Sequence, residues 1–208
     1  MSYNLFPRMA DKIPEAAVGS ARVEHFIVTE ANAQLAALRA LINSRYSEMV
    51  SPGKYAKLAV GGHTMMTDTD MEHKTNSPLI RHAKGHVLVG GLGLGMIVFG
   101  LLAKKPPIRS LLVLEKNLDV IRLIRPHLPE DARFMVARAD VFFWEQQAGW
   151  PTKFDTIYFD IWPSIQDHNL PEVKRLRIRA KSWLARGGWL GDWDTEYRRL
   201  ANITHPRT

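Results

Sequence analysis

A glycine-rich turn is the first feature of the sequence that could do chemistry. Gly91, Gly93 and Gly95 follow one short apolar run and precede another. Because glycine has no β-carbon, the backbone of such a turn can approach a ligand closely and present free amides to it. Glu115 lies 24 residues after Gly91, near the spacing at which an acidic side chain binds ribose hydroxyls in doubly wound sheets. The spacing favours a nucleoside site, and a tight turn without ligand is the alternative.

Two further carboxylates follow later apolar runs. Asp140 comes shortly after the run 133–137, and Asp160 ends the run 154–159. If these runs and the one ending at Glu115 are parallel strands, all three carboxylates lie on the edge where ligands bind such sheets. Each acid alone is more typical of a helix cap or a loop. Together with the glycine turn they predict a nucleoside-binding crevice.

The turn departs from two common nucleotide-binding motifs. Counting the dinucleotide fingerprint from Gly91 places Met96 at its last position, and counting from Gly93 places Val98 there, where glycine or alanine is expected. A P-loop is also absent, because no Gly-Lys-Ser or Gly-Lys-Thr closes the turn. NAD binding and ATP hydrolysis are therefore disfavoured.

Short apolar runs that alternate with helical segments would position these residues. Such alternation is typical of a parallel sheet covered by helices. The predicted strands are 86–90, 111–115, 133–137, 154–159 and 188–193. The predicted helices are 96–103, 118–125 with Asn117 as cap, and a basic helix with Asn169 as cap, Pro171 in its first turn and Gly187 after its end. The predicted fold class is α/β, a doubly wound, mostly parallel, Rossmann-like sheet.

A helix and a strand are predicted near the N-terminus. Residues 22–28 are typical of a strand, and Thr29 can cap a helix that ends near Ser44. The apolar positions that fall on one face of this helix are Ala31, Leu35, Leu38, Leu41 and Ile42.

A β-hairpin is predicted before the sheet. Residues 55–60 and 63–68 read as two short strands, and the glycine pair 61–62 between them can supply the positive φ angles of a tight turn. We expect an N-terminal extension of helix and hairpin, residues 1–80, packed on a Rossmann-like core, residues 81–208, in a single domain.

Composition and charge narrow the classes of partner and compartment. Lys and Arg total 28 against 21 Asp and Glu, for a net charge of +7, which favours acidic partners such as nucleic acid. Many basic residues lie between Glu172 and Arg199. They could form a solvated helix face or contact nucleic acid. The absence of cysteine excludes disulfides, thiolate zinc sites and cysteine nucleophiles. Without a long apolar run or a signal peptide, a cytoplasmic protein with no membrane partner is expected.

The turn and the carboxylates together resemble those of the class I S-adenosylmethionine-dependent methyltransferases, over about residues 55–193. In that superfamily the G-x-G-x-G turn lies under the methionine part of the cofactor, the acid ending the second strand binds the ribose, and the acid after the third strand binds the adenine amino group. The resemblance therefore implies S-adenosylmethionine as cofactor. By the same resemblance these roles pass to Gly91, Gly93 and Gly95, to Glu115, and to Asp140.

Within the superfamily the chain is similar to the spermidine synthase-like branch. Val89 stands two residues before the turn, where ordinary methyltransferases usually carry an acid and this branch tolerates an aliphatic residue. Residues 67–70, Thr-Asp-Thr-Asp, look like the Thr-Glu-Arg-Asp of such enzymes. The chain departs from aminopropyltransferases after Asp160, because Ile161-Trp162-Pro163 replaces the segment with their second acid, and Pro163 cannot act as a base.

Methyl transfer is the predicted function, with a small molecule or nucleic acid as acceptor. Because the reaction is an in-line displacement, much of the catalysis can come from holding the nucleophile near the methyl group. Asp160 is the predicted catalytic residue, since it could orient or deprotonate a nitrogen or oxygen nucleophile at the sheet edge. Trp162 could stack on a planar substrate or pack as an ordinary core aromatic.

Several alternatives remain open. The chain could be a non-catalytic nucleoside-binding protein that engages nucleic acid or protein through its basic helix, an aminopropyltransferase, or an enzyme that cleaves the cofactor. Asp68, Asp70, Glu72 and His73 could form a substrate wall, or an ordinary polar loop. No metal is predicted, because no acid completes a ligand pattern with His82 and His86. Few residues follow the last predicted strand, so a second copy could cover the sheet edge as a homo-oligomer.

Overall fold

The computed structural model describes residues 5–42, 49–147, 149–164 and 167–200. The strands are β1 (Ala16–Val18), β2 (Ala21–Val28), β3 (Gly53–Val60), β4 (His63–Thr67), β5 (His86–Gly90), β6 (Ser110–Glu115), β7 (Phe134–Arg138), β8 (Phe154–Phe159) and β9 (Leu184–Asp192). The helices are α1 (Glu30–Ile42), α2 (Asp70–His82), α3 (Met96–Ala103), α4 (Leu118–Ile124), α5 (Leu170–Ala180) and α6 (Trp193–Leu200). The predicted helix end at Ser44 and the side chain of Leu41 lie outside the described part.

Two sheets organise the chain. The first is antiparallel, with strand order β1-β2-β3-β4, and the second is parallel, with order β7-β6-β5-β8-β9. The strand order reverses between β5 and β8, and ligands of such sheets bind in the crevice at that reversal. The predicted α/β doubly wound fold is confirmed.

The central strands are buried on both faces, which explains their continuous apolar sequence. Val87, Leu88 and Val89 of β5 are at most 1% exposed, as expected of a parallel strand covered on both sides. One apolar core packs α2, α3, α4 and the antiparallel sheet against one face of the parallel sheet. A second core packs α5 against the other face, with Trp144 and Trp183 among its side chains.

The antiparallel sheet contains the predicted hairpin, and a buried carboxylate connects this sheet to the N-terminal segment. Strands β3 and β4 pair across the glycine pair 61–62. Asp68, at the end of the hairpin, is fully buried and accepts hydrogen bonds from the backbone N–H groups of Met9, at 2.5 Å, and Ala56, at 2.7 Å. Asp68 therefore holds the hairpin in place and does not form a substrate wall.

Helix α1 forms where it was predicted, but its apolar face is exposed. Leu35, Leu38 and Ile42 are 47%, 54% and 74% exposed, whereas the buried residues among the described side chains of the helix are Ala33 and Ala40. The periodicity therefore predicted the helix correctly and did not identify the side that packs on the protein.

Two further elements differ from the predictions. Helix α2 forms in a segment interpreted as a substrate wall or polar loop, and it contains Pro78 in its interior. Asn169 lies in a short turn (Asp167–Asn169) and makes no capping bond; its side-chain amide donates to the carbonyl of Ser164 at 2.7 Å. Gly187 does not follow the basic helix directly, because β9 begins at Leu184. Asn117, by contrast, caps α4 as predicted.

Candidate functional site

The glycine turn connects β5 to α3, and at two positions it leaves no room for a side chain. Gly91 has φ 101°, and a β-carbon there would lie 2.0 Å from the carbonyl oxygen of Asp160. Gly93 has φ 51°, and its β-carbon would lie 2.1 Å from the sulfur of Met66. Both positions require glycine, for conformation and for close approach.

Glu115 ends β6 beside the glycine turn. Its Oε2 accepts a hydrogen bond from the backbone N–H of Leu92 at 3.0 Å, and its Oε1 accepts one from the N–H of Asn117 at 2.8 Å. A carboxylate oxygen can accept a second hydrogen bond, so the half-buried side chain can also receive two ligand hydroxyls.

Asp140 lies just beyond β7, on the same edge of the sheet. Its Oδ1 accepts a hydrogen bond from the backbone N–H of Phe142 at 2.9 Å. The ring of Phe142 lies 4.4 Å from the guanidinium carbon of Arg175, in a cation–π arrangement. Asp140 and Phe142 therefore form one end of the crevice, and Arg175 of α5 packs against this end.

A single cleft of about 870 Å³ empty volume joins these groups. Of the site residues predicted from the sequence, Gly91, Gly93, Glu115, Asp140 and Asp160 line it. Gly95 is not among the lining residues and instead precedes the first residue of α3.

The hairpin covers the cleft from the side of the antiparallel sheet. Leu58, Val60, Met65 and Met66 line this side, and the sulfur of Met66 accepts a hydrogen bond from the backbone N–H of Leu94 at 3.0 Å. Met66 therefore lies directly on the glycine turn, and the hairpin gives this wall an apolar surface.

Asp160 follows β8 on the opposite side of the cleft. Its backbone N–H donates to the carbonyl of Gly90 at 2.8 Å, which fixes it to the end of β5. Burial of the carboxyl group raises the pKa of Asp160 to about 7, and a hydrogen bond from the Asn76 side chain opposes this rise. A carboxyl group with this pKa can exchange a proton near neutral pH.

Trp162 is 6% exposed, and its indole N–H donates to Glu172 at 3.1 Å. It packs in the second apolar core. These contacts favour the packing interpretation over stacking on a substrate.

Sequence reasoning missed the role of Glu72, which it placed in a substrate wall or polar loop. Glu72 lies in the first turn of α2, is 5% exposed and accepts a hydrogen bond from the indole N–H of Trp193 at 3.0 Å. Burial, and then the charge of Asp160, raise its pKa well above the usual range. A single sequence carries no signal for such a buried acid, since first-turn glutamates usually face solvent.

Several residues of the basic helix have partners within the protein. Arg177 forms an ion pair with Asp192 at 2.5 Å, and Arg179 donates to the carbonyl of Trp144 at 2.7 Å. Together with the contact of Arg175 with Phe142, these contacts give three arginines of α5 partners within the protein, and Arg175 itself is exposed. They leave less of the helix for a nucleic-acid partner.

The described ranges contain neither a cluster of metal-binding side chains nor a membrane-spanning helix. Among them, no group of three or more His, Asp or Glu side chains could hold a metal ion. Within those ranges no helix is long and apolar enough to cross a membrane.

Solved structures similar to this chain include methyltransferases and spermidine synthases, the two groups that the sequence resembles. Spermidine synthase from Thermotoga maritima is 20% identical, with a TM-score of 0.46 over 70% of this chain and 53% of that one. An S-adenosylmethionine-dependent methyltransferase from Mesorhizobium loti is 20% identical, with a TM-score of 0.41 over 56% of this chain and 51% of that one. The N-methyltransferase NodS from Bradyrhizobium japonicum WM9 is 17% identical, with a TM-score of 0.44 over 65% and 76%.

The matched region spans about half the length of the first two of these structures. No family model and no curated protein matches the chain. At these identities and TM-scores the similarities identify neither the reaction nor the acceptor.

Proposed function

We propose that the chain is an S-adenosylmethionine-dependent methyltransferase that binds its cofactor in the cleft between the glycine turn and Asp140. The observation that carries the proposal is the convergence of Gly91, Gly93, Glu115, Asp140 and Asp160 on one cleft. These residues come from four separate strand ends, so their meeting follows from the fold and not from proximity in sequence.

The residues fit the chemical groups of this cofactor. The two oxygens of Glu115 can each accept a ribose hydroxyl while keeping their backbone partners. Asp140 can accept a hydrogen bond from the adenine amino group, and Phe142 offers an aromatic surface beside it. Gly91 and Gly93 line the cleft, so the backbone of the glycine turn could contact the methionine part.

S-adenosylmethionine supplies a methyl group on a sulfonium, and transfer forms a bond from the nucleophile to that carbon as the carbon–sulfur bond breaks, with the electron pair leaving on sulfur. Asp160 would face the nucleophile, because it lines the cleft beside the turn. With its pKa at about 7, it would accept the proton of a nitrogen or oxygen nucleophile. The apolar hairpin wall would exclude water from this region.

Thermal unfolding with and without S-adenosylmethionine tests the proposal. Ligand at 100 times its dissociation constant should stabilise the protein by ~2.7 kcal/mol, a rise in Tm of about 5 to 11 °C for a chain of this size. Glu115→Gln keeps the shape of the side chain but removes its charge, and it should lose most of the shift. Glu130→Gln, at an exposed acid, should keep it.

The absence of any shift in the wild type at millimolar cofactor would contradict the proposal. If binding occurs, product analysis separates transfer from cofactor cleavage. Formation of S-adenosylhomocysteine only with an added acceptor supports methyl transfer, whereas breakdown of the cofactor alone supports the cleaving alternative.

The proposed acceptor is a small molecule or nucleic acid. The homo-oligomer and the cytoplasmic location stay predictions, which sedimentation and cell fractionation would test. The division into an extension and a core also stays a prediction, with its boundary at residue 80 falling inside α2.

A further inference from the structure

Basic side chains are concentrated at one edge of the parallel sheet, the edge at which its strands begin. Because the strands are parallel, their N-terminal ends lie together on the side opposite the cleft. The last turn of α2, the loops that enter β6, β8 and β5, and the segment around the start of β9 carry exposed basic residues: Arg81, Lys84, Lys105, Arg109, Lys153, Lys181 and Arg186. We call these residues the basic edge.

Hydrogen bonds between loops show that members of the basic edge lie side by side. The backbone N–H of Arg109 donates to the carbonyl of Gly85, the residue after Lys84, at 2.8 Å. The ammonium group of Lys84 in turn donates to the carbonyl of Gly187, the residue after Arg186, at 3.3 Å. Basic residues from the starts of β5, β6 and β9 are therefore neighbours.

The loop before β8 joins the same surface. The backbone N–H of Lys84 donates to the hydroxyl of Thr156 in β8 at 3.1 Å. The ammonium group of Lys153 donates to the carbonyl of Ser182, the residue after Lys181, at 2.6 Å. Four neighbouring strands thus begin on one continuous basic surface, and at ~4.8 Å between strands their starts span roughly 14 Å.

The charge of the basic edge is largely uncompensated. None of its residues forms an ion pair with an acid of the described ranges. Of the acids near the strand starts, Asp131 is paired with Arg133 at 2.6 Å. Asp155 is half-buried and accepts a hydrogen bond from the backbone N–H of His86, and Glu130 is exposed before β7. Exposed cations outnumber these acids, so the edge attracts anions.

The two edges of the sheet differ in charge. At the cleft, Glu115, Asp140 and Asp160 follow the strand ends, and Lys116 is the basic residue among those that line it. Much of the positive charge behind the net charge of +7 therefore lies away from the cleft. Because three arginines of α5 have partners within the protein, the strand starts are the better surface for an acidic partner.

Double-stranded nucleic acid is the polyanion that fits this surface. A duplex carries one phosphate per ~1.7 Å of its axis, so roughly eight phosphates lie along 14 Å. Proteins that bind membrane surfaces usually add apolar side chains that enter the lipid. The loops of the basic edge contain none of the large apolar side chains that are exposed in the described ranges, which favours the duplex over a membrane.

We propose that the basic edge binds the phosphate backbone of double-stranded nucleic acid without reading its sequence. No residue of this edge lines the cleft, so the inference goes beyond the proposed function and does not depend on it. The length of the strands separates the two surfaces, about 16 Å for the 5 residues of β5. The duplex is therefore a docking partner and not the methyl acceptor of the same copy.

Fluorescence anisotropy with labelled DNA and RNA duplexes of about 20 base pairs, titrated with the full chain, tests the proposal. Binding should weaken steeply with salt, with a slope of log K against log salt of about −4, as expected for four or five phosphate contacts. Duplexes of unrelated sequence should bind equally well, because the phosphates supply the affinity.

The triple variant Lys84→Gln/Arg109→Gln/Arg186→Gln removes three neighbouring cations. Its affinity for the duplex should fall at least about tenfold at low salt, and the salt slope should become less steep by about three. The thermal shift with S-adenosylmethionine should stay as in the wild type, because the cleft is unchanged. If the triple variant does not fold, Arg186→Gln alone should reduce the slope by about one.

The matched control Arg39→Gln/Lys54→Gln/Lys174→Gln removes the same charge from exposed positions on α1, β3 and α5. It should keep the salt slope and most of the affinity. Equal losses in the two triple variants would overturn the proposal, because they would show that net charge alone attracts the duplex.

The proposal is also overturned if neither duplex binds at low salt, or if one sequence binds far more tightly than the others. Binding to vesicles of phosphatidylcholine and phosphatidylserine without binding to either duplex would identify the edge as a membrane surface and overturn it as well. A wild type that binds duplex but does not respond to S-adenosylmethionine would contradict the proposed function alone.

Discussion

The cleft has a proposed cofactor side, with Glu115 and Asp140, and a proposed acceptor side, with Asp160. The two sides hold their carboxyl groups in different ways. Glu115 accepts hydrogen bonds from the backbone N–H groups of Leu92 in the glycine turn and of Asn117, and Asp140 accepts one from the N–H of Phe142. Asp160 and Glu72 face side chains and the apolar core, and burial raises the pKa of each. The first arrangement suits lasting recognition of a ligand, and the second suits a group that gains and loses a proton.

Replacing Asp160 should have the largest effect, and it should lower the transfer rate without changing cofactor binding. Asp160→Asn keeps the shape of the side chain but removes the base, so the transfer rate should fall by about 10² to 10⁴. The thermal shift with S-adenosylmethionine should stay as in the wild type. The rate is measured as S-adenosylhomocysteine formed with an acceptor found by screening. Equal loss of rate and cofactor binding would contradict the division between the two sides.

Gly91→Ala should lower both the stability of the protein and its affinity for the cofactor. The new β-carbon would meet the carbonyl oxygen of Asp160, at a backbone angle that alanine rarely adopts. We expect a loss of about 3 kcal/mol in the free energy of unfolding, measured by urea denaturation, and a weaker cofactor shift. Gly149→Ala also has positive φ but open space around it, so it separates the cost of the angle from that of the contact. Equal losses in the two variants would show that the contact with Asp160 costs nothing.

Stability should respond to pH through Glu72. Its folded pKa lies above the unfolded value of 4.5, so the folded state keeps a proton that the unfolded state loses. The resulting stabilisation is complete below the unfolded pKa and disappears as pH rises towards the folded one. Glu72→Gln should therefore gain stability relative to the wild type by up to ~1.4 kcal/mol per pH unit above about 4.5. A difference that does not change with pH would show that Glu72 ionises normally.

The smallest effect is expected on the cofactor side, at Arg175. Arg175→Gln removes the cation over Phe142 and should cost about 0.5 to 1 kcal/mol in the free energy of unfolding. Lys174→Gln removes the same charge from the neighbouring exposed position and should cost less. If both variants lose the same stability, the contact with Phe142 contributes nothing beyond net charge.

The sequence predicted the acids at the strand ends on both sides of the cleft, but not the residues that surround Asp160. Continuous apolar runs identify buried parallel strands, and the acids that follow them must lie on one edge. Glu115, Asp140 and Asp160 were found in this way. The spacing also predicted Gly95, which does not line the cleft, because the motif does not distinguish residues that face a ligand from the one that begins the helix.

The surroundings of Asp160 could not be predicted, because they depend on contacts between distant segments. Helix α2 has few apolar residues and contains Pro78, so its periodicity is weak, and Glu72 meets Trp193 across 121 positions of sequence. The face of α1 was likewise undetermined, since periodicity identifies an amphipathic helix but not the surface against which it packs.

The close approach of Gly91 to Asp160 bears on how the protein could change during evolution. The main chain of the turn and the main chain of Asp160 are in direct contact, and Asp160 also donates to the carbonyl of Gly90. The separation between a bound methyl donor and the base would thus be set by backbone geometry, independently of the side chains that choose the acceptor. Mutations in the hairpin could then change which acceptor is selected, while the distance between the methyl donor and Asp160 stays the same.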